Sequence, residues 1–439
     1  MKNKTPRLLQ GFNDYYSDNV RIREYIKNTF RKYFELYGYE PLETPALEFS
    51  DLMLGQSGED AEKQYYRFKD NGDRDVMLKF ELMISMCRSI AQNINTITFP
   101  YKRYQIQNVW RAEKVQKGRE REFTQIDADV IGSDSILAEG EYLDMSIKTL
   151  LELGIGDFVL RINNRKFLEG LVRNFDISEV NMYGVFMSID KLEKKGRDEV
   201  LKELTDIRGI ERKTASEILA SIIDNEYSQN TPLELINYFK NTYTENRLLN
   251  EGLNELEQIF TYLNACNVDP KFVRFDPTIA RGLASYTGPV WEFSVPNSNV
   301  GSIGGGGRYD NAISKYVGKI LPSTGGSFGL ERLSEIIKDR NLLEIENPTK
   351  LLFTNFSEEM LLDSIALLNR LRDAGIPTML YPEVAKLDKQ IKYALKKDIP
   401  YLLIYGPDEK AENKVVLKDL KNQTQIKMDV PELLEKFMN

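Results

Sequence analysis

The sequence contains no histidine in its 439 residues. This absence excludes Ser-His-Asp and Cys-His catalysis, histidine-ligated metals and proton transfer through an imidazole side chain. Any chemistry must therefore use carboxylates, arginines, lysines, backbone groups, bound ions or the substrate itself. Phosphoryl and nucleotidyl transfer are compatible with these groups, because such reactions depend on positioning and charge neutralisation more than on a titrating base.

Cysteine and long apolar runs are also scarce. The two cysteines, Cys87 and Cys266, lie far apart and outside any paired pattern, which argues against a disulfide framework or a thiolate zinc site. No segment approaches the roughly 18 uninterrupted apolar residues of a membrane helix. The charged start of the chain is not followed by the apolar core of a signal peptide. We therefore expect a cytoplasmic protein.

A net charge of −8 argues weakly against a protein that coats nucleic acid, although a local basic patch can still bind RNA. The length predicts two or three domains. Near the N-terminus, apolar residues at spacings of four and three predict a helix that ends near Gly38. The residues of this apolar face are Ile22, Ile26, Phe30, Tyr33 and Tyr37. The following segment, 39–48, is predicted to be extended because it contains Pro41 and Pro45.

Two alternating segments, 101–110 and 122–131, enclose a charged stretch and predict a β-hairpin. Further strands are expected near 157–163, 273–275 and 289–294. Between these strands, from about 165 to 268, the pattern is helical, charged and poor in glycine. We therefore expect an antiparallel-sheet domain formed by residues 1–164 and 269–345, with a mainly helical insertion at 165–268.

After residue 348, three predicted strands alternate with two helical segments, which indicates a third, small α/β domain at 349–439 with a largely parallel sheet. The strands are expected at 350–354, 377–381 and 400–405, and the helices at 357–374 and 386–397. Four lysines in the second helix share one face: Lys386, Lys389, Lys392 and Lys396. On spacing alone, this stripe is either a solvated surface or a contact for nucleic acid.

The charged loop of the hairpin carries the strongest chemical signal. Arg111 ends the first strand, and Arg119 and Arg121 lie across a short loop. Planar guanidinium groups that converge on one point suit a polyphosphate. Three polar side chains that could contact an adenine, an amino group and a cationic or donor group follow: Glu113, Gln125 and Asp129. A surface hairpin with salt-bridged arginines fits the same spacing, so both interpretations stay open.

A run of four glycines, 304–307, precedes Arg308 and Asp310. Such a run can form a flexible turn, or it can let the backbone approach a ligand closely. Its position between a predicted strand and two charged residues favours the second interpretation.

Three segments together resemble the signature motifs of class II aminoacyl-tRNA synthetases. The segment 36–48 resembles motif 1, with Pro45 at the position used in the dimer interface. The segment 99–129 resembles motif 2, and the segment 325–332, which ends at Arg332, resembles motif 3. The resemblance implies a class II fold, in which an antiparallel sheet is flanked by helices and joined to a C-terminal α/β anticodon-binding domain.

The details resemble the histidyl-tRNA synthetases in particular. Motif 2 has their Arg-Ala-Glu, Gln-Lys-Gly-Arg and Arg-Glu-Phe elements, and the segments 281–288 and 304–310 resemble two elements specific to these enzymes. The resemblance extends from about residue 8 to the C-terminus. It implies ATP-dependent ligation of L-histidine to tRNA(His) through a histidyl-adenylate, with Mg²⁺, by a homodimer.

The resemblance also assigns roles to individual residues. It gives catalysis to Arg111, Arg281 and Arg332. It gives ATP binding to Arg111, Glu113, Arg119 and Arg332. It gives histidine binding to Glu81, Met83, Arg111, Gln125, Asp129, Arg281, Ser285 and Tyr286. It gives tRNA binding to Gln116, Lys386, Lys389, Lys392 and Lys396.

Two departures from the family pattern concern the amino-acid site. Met83 stands where the family has a hydroxyl that helps to fix the amino group, and Ala284 and Ser285 replace a carboxylate and an aromatic ring. Loss of one neutral hydrogen bond costs about 0.5–1.5 kcal/mol, so we expect weaker histidine binding rather than none. Two alternatives remain: a histidine-binding regulatory subunit that does not charge tRNA, and a ligase for another amino acid.

Overall fold

The computed structural model describes residues 6–54, 64–223, 230–280 and 286–438. The chain forms two compact units, one ending at Leu343 and the other beginning at Glu344. Within the described ranges, every helix is too short or too polar to cross a membrane.

The first unit contains eleven strands among its described residues. They are β1 (Glu40–Pro41), β2 (Leu47–Phe49), β3 (Arg67–Lys69), β4 (Asp75–Leu78), β5 (Tyr101–Trp110), β6 (Glu122–Ile131), β7 (Val159–Asn164), β8 (Val273–Phe275), β9 (Pro289–Ser294), β10 (Ser302–Arg308) and β11 (Ser323–Gly329). Eight of them form one sheet in the order β1-β5-β6-β11-β10-β9-β7-β8, and the other three form a small sheet in the order β2-β4-β3. All pairs in the large sheet are antiparallel except the two at its edges, β1 with β5 and β7 with β8.

The predicted hairpin is confirmed at both strands, β5 and β6, with Arg103 opposite Asp129. The glycine run forms most of strand β10, which pairs with β9 and β11. The interpretation of this run as a flexible turn is therefore wrong. Its glycines are needed because neighbouring strands and side chains leave no room for a Cβ.

Helices cover the large sheet and fill the central part of the chain. Those of the first unit are α1 (Ser17–Leu36), α2 (Ser50–Met53), α3 (Leu82–Gln92), α4 (Leu137–Glu152), α5 (Arg165–Arg173), α6 (Glu179–Ile189), α7 (Leu192–Lys195), α8 (Arg197–Lys202), α9 (Arg212–Ile222), α10 (Pro232–Thr242), α11 (Arg247–Ala265), α12 (Ser314–Val317) and α13 (Leu330–Asp339), with a π-helical turn at Glu203–Ile207 and a 3₁₀ turn at Pro270–Phe272. Between residues 165 and 268, the described chain is helical, as predicted, and strand β8 follows at Val273. The exact limits of an insertion domain remain a prediction.

Helix α1 confirms the predicted apolar periodicity, with one correction. The buried positions that agree with the prediction are Ile22, Ile26 and Phe30. Phe34 completes this face because it continues the four-residue spacing, whereas Tyr33 and Tyr37 are only half-buried. The hydroxyl of Tyr37 instead donates a hydrogen bond to Asp144 (2.6 Å). Gly38 has φ +78°, as expected for a residue that follows a helix C-terminus.

The second unit has a five-stranded sheet in the order β13-β12-β14-β15-β16. Its elements are β12 (Leu351–Phe353), α14 (Leu361–Asp373), β13 (Thr378–Leu380), α15 (Leu387–Lys396), β14 (Tyr401–Ile404), α16 (Pro407–Ala411), β15 (Val415–Asp419), β16 (Thr424–Met428) and α17 (Val430–Met438). The first three strands are parallel, as predicted, but β14, β15 and β16 pair antiparallel. The prediction of a largely parallel sheet is wrong, because the last two strands form a hairpin. Strand β16 is mostly exposed and polar and so carries no clear apolar alternation.

We predict that Gly306→Ala destabilises the first unit. A Cβ at this position would lie 2.5 Å from the Cα of Gly326 and 2.8 Å from the ring of Trp291, and would also meet the Gly325 carbonyl. Because two of these neighbours are backbone atoms in a paired strand, we expect a loss of about 1–3 kcal/mol in the free energy of unfolding, measured by urea denaturation. Gly156→Ala is the matched control, since nothing lies within 4 Å of its added Cβ. Equal stability of the two variants would contradict the prediction.

Candidate active site

A cavity of about 660 Å³ lies above the large sheet, beside the loop that connects β5 and β6. The predicted site residues that line it are Arg111, Glu113, Gln116, Arg119, Gln125 and Arg332. The glycine-rich strand β10 and the end of β11 contribute Gly304, Gly305 and Ser327 to the same wall. Residues that the sequence places more than 200 positions apart therefore meet in one cavity.

Arg111 directly follows the last residue of strand β5, and three groups contact its side chain. Its Nε donates a hydrogen bond to the carbonyl of Phe80 (3.0 Å), and its guanidinium lies over the rings of Phe80 and Phe123 at 4.5 and 5.1 Å from their centroids. Burial lowers the pKa of Arg111, while Glu81 and Glu113 act in the opposite direction. The bond to Phe80 uses one of five N–H donors, so the group can still bind an anion.

The other two arginines of the cavity are held by different elements. Arg119 is about half exposed and forms an ion pair with Glu113, within a turn closed by backbone hydrogen bonds between Gln116 and Arg119. Arg332, in the first turn of α13, donates to the carbonyl of Ser302 in β10. The interpretation of this loop as a surface hairpin with salt-bridged arginines therefore holds in part for Arg119. It does not hold for Arg111, which is packed against aromatic rings.

Next to this cavity, the same face of the large sheet carries a group of buried polar side chains. Arg103, which is fully buried, forms an ion pair with Asp129 at 2.5 Å. The hydroxyl of Tyr309 donates to the same carboxylate. Burial raises the pKa of Asp129, whereas the charge of Arg103 and the bond from Tyr309 lower it. A carboxylate has about four acceptor positions, so Asp129 can accept a further hydrogen bond.

Gly325 and Tyr286 define the space around Asp129. A Cβ on Gly325 would lie 2.5 Å from Cγ of Asp129, so this position of motif 3 requires glycine. Tyr286 packs its ring beside Gly307 and is held through its carbonyl, which accepts a hydrogen bond from Arg165 (2.9 Å). Burial raises the pKa of Tyr286, which keeps its phenol protonated at neutral pH. Arg281, Ala284 and Ser285 lie outside the described residues.

Glu81 and Met83 lie at the start of helix α3. Glu81 is the N-cap residue but makes no side-chain capping bond. Burial raises its pKa, and the charge of Arg111 lowers it. Met83 packs against the apolar cluster that includes Met86 and Cys87, as Tyr286 also does. Met83 therefore contributes apolar surface where the family pattern has a hydroxyl.

Sequence reasoning missed three residues of this region: Arg103, Asp127 and Ser327. Alternation along β6 puts Gln125, Asp127 and Asp129 on one face, and this signal was available in the sequence. The amide of Gln125 donates to the hydroxyl of Ser327 (3.1 Å) across the β6–β11 pair. Arg103 could be found only from the cross-strand register, which the sequence does not specify.

In the second unit, the four lysines predicted to bind tRNA are exposed. Lys386 is the N-cap residue of α15, and the other three lie within that helix. Lys389 forms an ion pair with Glu383 (2.7 Å), at a site that is exposed on both sides. The predicted basic stripe is therefore a surface feature, although one of its charges is partly neutralised.

Comparisons with known proteins give consistent matches along the whole chain. A family model described as histidyl-tRNA synthetase matches residues 11–333, and one described as anticodon binding domain matches residues 351–439. A histidine–tRNA ligase from Clostridium tetani is 37% identical over 444 residues, covering 99% of this chain and 98% of that protein. One from Cytophaga hutchinsonii is 34% identical over 456 residues, covering 99% of each.

A solved structure gives the same result. The crystal structure of histidyl-tRNA synthetase from Nostoc sp. PCC 7120 matches with a TM-score of 0.86 and 31% identity, covering 100% of this chain and 99% of that one. The class II fold predicted from the sequence is thereby confirmed. The family model matches most of the chain, and relatives align with the chain from end to end. The chain therefore belongs to the histidyl-tRNA synthetase family.

Proposed function

We propose that this protein is a histidine–tRNA ligase that uses ATP to join L-histidine to tRNA(His). The observation that carries the proposal is a cavity lined by Arg111, Arg119 and Arg332 and continued by the buried carboxylate of Asp129 beside Tyr286. The arginines form a site for polyphosphate, and Asp129 with Tyr286 forms a polar pocket for an imidazole. Translation takes place in the cytoplasm, where we also place this enzyme.

In the first step, a carboxylate oxygen of histidine attacks the α-phosphorus of ATP, and pyrophosphate leaves with the electron pair of the broken P–O bond. Arg111 binds the α-phosphate, whose oxygens carry the redistributing charge of the transition state. Arg119 and Arg332 hold the outer phosphates, and Glu113 contacts the adenine. By membership of the family, Arg281 bridges the histidine carboxylate and the α-phosphate.

In the second step, the terminal ribose hydroxyl of the tRNA attacks the acyl carbon and AMP leaves. A phosphate oxygen of the adenylate accepts the hydroxyl proton, so no histidine side chain is required. We assign contact with the arriving tRNA to Gln116, which lies in the turn beside Arg119.

Residues of the buried polar region next to the cavity select the amino acid. Glu81 and Gln125 bind the α-amino group, while Asp129 and Tyr286 bind the two imidazole nitrogens. A pocket built from buried hydrogen-bonding groups rejects analogues that leave those groups unpaired. The resemblance to the family assigns histidine binding to Met83 and Ser285 as well.

A Mg²⁺ ion would reach this cavity bound to ATP. Among the described residues there is no group of three or more acidic or cysteine side chains that could hold a metal, so the ATP phosphates would supply most of its ligands other than water. Mg²⁺ usually binds through phosphate oxygens and one or two carboxylates and keeps several waters. When bound, it would neutralise phosphate charge beside the arginines.

The alternative of a regulatory subunit has less support. Such proteins characteristically lack an anticodon-binding domain, whereas residues 351–439 of this chain match one. A ligase for another amino acid remains a testable alternative, motivated by Met83, Ala284 and Ser285.

We predict that histidine supports ATP–pyrophosphate exchange and that no other standard amino acid does so at a comparable rate. The physical reason is the pairing of a buried acceptor, Asp129, with a protonated phenol, Tyr286, which together match the two nitrogens of a neutral imidazole. The exchange assay is run with each amino acid in turn, and omission of the amino acid is the control. Faster exchange with another amino acid, or none with histidine, would contradict the proposed function.

We also propose a homodimer, formed through the small sheet next to motif 1. Leu47, Phe49 and Phe68 are 43%, 58% and 45% exposed. Phe49 and Phe68 both pair with Val76 of β4, so the two rings lie on one face. Exposed aromatic and aliphatic side chains grouped in this way are typical of a protein interface. A second copy of the chain is the proposed occupant, because Leu47 belongs to, and Phe49 directly follows, the segment 36–48 that resembles the motif pairing across the class II two-fold axis.

We predict that Phe49→Asp shifts the protein from dimer to monomer at micromolar concentration, because it would bury charges at the centre of a symmetric interface. Light scattering coupled to size exclusion measures the mass. Ile207→Asp is the matched control, since it places the same charge at a 70% exposed apolar position in the π-helical turn. A monomeric wild-type protein, or a dimeric Phe49→Asp variant, would be evidence against this interface.

We predict that the double variant Lys392→Glu/Lys396→Glu raises KM for tRNA at least about tenfold and leaves histidine-dependent pyrophosphate exchange unchanged. Lysines that contact phosphates contribute salt-dependent affinity, and this helix lies outside the unit that holds the cavity. The matched control reverses two exposed lysines outside α15, Lys414→Glu/Lys421→Glu. Equal effects of the two double variants on aminoacylation would show that the stripe on α15 has no special role.

A further inference from the structure

Asp127 is a buried carboxylate on the substrate-facing side of the large sheet. It lies in β6 between Gln125 and Asp129, opposite Ser327 of β11 and Gln105 of β5. Only 5% of its surface is exposed. Among the described residues, its Oδ1 atom has no hydrogen-bond partner.

The charged and polar groups around Asp127 do not neutralise it directly. Arg103 is the positive charge that acts most strongly on Asp127, but it pairs with Asp129 at 2.5 Å and donates to Gln105 at 3.3 Å. The pKa of Asp127 is raised to about 7, mainly by burial. Asp129 and Glu81 also act to raise it, while Arg103 and a hydrogen bond with Ser327 act to lower it.

Other charged or titratable groups also face this region. Arg111 and Lys79 are cations that interact with Asp127 at longer range. The protonated phenols of Tyr286 and Tyr142 complete the surroundings. A buried carboxylate without its own cation is unfavourable unless a ligand supplies one.

The α-ammonium group of an amino acid matches this surplus of acceptors. It carries three N–H donors and one positive charge. Besides Asp127 Oδ1, the amide oxygen of Gln125 is also buried without a partner, and Glu81 makes no capping bond at the start of α3. These groups provide three acceptors for three donors. Met83, which stands where the family has a hydroxyl, provides none.

We propose that Asp127 binds histidine by accepting a hydrogen bond from the α-ammonium group through Oδ1, thereby supplying the polar contact that Met83 does not. This inference rests on the proposed function, since it takes histidine as the substrate. A purely structural role is the competing explanation, in which Asp127 only balances the charge of Arg103. The two explanations differ in whether the effect of Asp127 depends on the amino group of the ligand.

The test compares histidine with 3-(imidazol-4-yl)propanoate, which lacks the amino group, by titration calorimetry on the full-length protein. Asp127→Asn keeps the shape and removes the charge. We expect it to weaken histidine binding about 10- to 100-fold, the range for a hydrogen bond to a charged group, and to change affinity for the desamino ligand less than about twofold. Tyr286→Phe is the matched control, because it leaves the pair of Arg103 and Asp129 intact. It should weaken both ligands by the same factor, because both carry the imidazole.

A second measurement uses the wild-type protein alone and so does not depend on the folding of a variant. Because the pKa of Asp127 is about 7 and a bound ammonium favours the carboxylate, histidine binding at pH 7 should release a proton from this group. The affinity for histidine relative to the desamino ligand, each corrected for the fraction of free ligand whose imidazole is neutral, should therefore rise as the pH increases from about 6 to 8. Heats of binding in phosphate and Tris buffers report the proton release, from which the proton lost by the imidazole of each ligand is subtracted.

The outcomes separate this inference from the proposed function. Failure of the wild-type protein to bind histidine or to exchange pyrophosphate would overturn the function itself. If histidine binds, equal weakening of both ligands by Asp127→Asn, or no weakening of either, would overturn the role of Asp127 alone. Equal proton release with the two ligands, after subtraction of the protons lost by their imidazoles, would also overturn it.

Discussion

The buried ion pair between Arg103 and Asp129 is the contact on which the arrangement of the substrate side depends. Both side chains are almost inaccessible to water, so each charge needs the other. Removing one partner of such a pair leaves an uncompensated buried charge, which costs several kcal/mol. The pair forms only in the observed register of β5 and β6, where the two residues are directly opposite. It also requires glycine at position 325 of β11. This one electrostatic contact thus depends on the relative positions of three strands, β5, β6 and β11.

On the same face of the sheet, a row of polar contacts leads from Asp129 towards the segment that resembles motif 1. The amide of Gln105 accepts from Arg103 and donates to the hydroxyl of Thr44 (2.7 Å). Gln107 in turn accepts from the ammonium of Lys79 (2.8 Å), which also donates to the carbonyl of Thr44. Burial lowers the pKa of Lys79 to about 8. Gln105, Gln107, Lys79 and Thr44 are each hydrogen-bonded within this row, and such networks favour a defined geometry. The row therefore connects the buried pair of Arg103 and Asp129 with the segment that resembles motif 1.

The sequence predicted those elements whose periodicity reflects one buried face. The limits of β5 and β6 follow from alternation, and helix α1 from its four-residue spacing. Strand β10 was not predicted because four glycines carry no side-chain pattern. Its conformation is imposed by β9 and β11 on either side. The hairpin of β15 and β16 was missed for a related reason, since β16 has one buried residue in five. In both cases the neighbours, rather than the segment itself, determine the structure.

The site was predictable to the extent that its residues are recognisable by type and spacing. Arg111, Arg119 and Arg332 could be assigned from motifs, and they meet in one cavity. Arg103 and Asp127 could not be assigned in this way. An arginine in a strand is usually exposed, and only the cross-strand register shows that this one is buried beside a carboxylate. The importance of Asp127 likewise depends on burial and on an acceptor atom without a partner, neither of which is a property of the residue type.

A protein without histidine can recognise histidine because recognition needs groups complementary to an imidazole, and a second imidazole is not among them. A neutral imidazole has one N–H donor and one nitrogen acceptor. Burial raises the pKa of Asp129, and the charge of Arg103 and the bond from Tyr309 act to lower it, which favours the ionised form. In the proposed complex this carboxylate accepts the N–H. Tyr286 stays protonated because burial raises its pKa, and in the same complex its phenol donates to the other nitrogen. The two buried acids therefore provide one acceptor and one donor. The ion pair that joins β5 to β6 also favours the charged form of the acceptor.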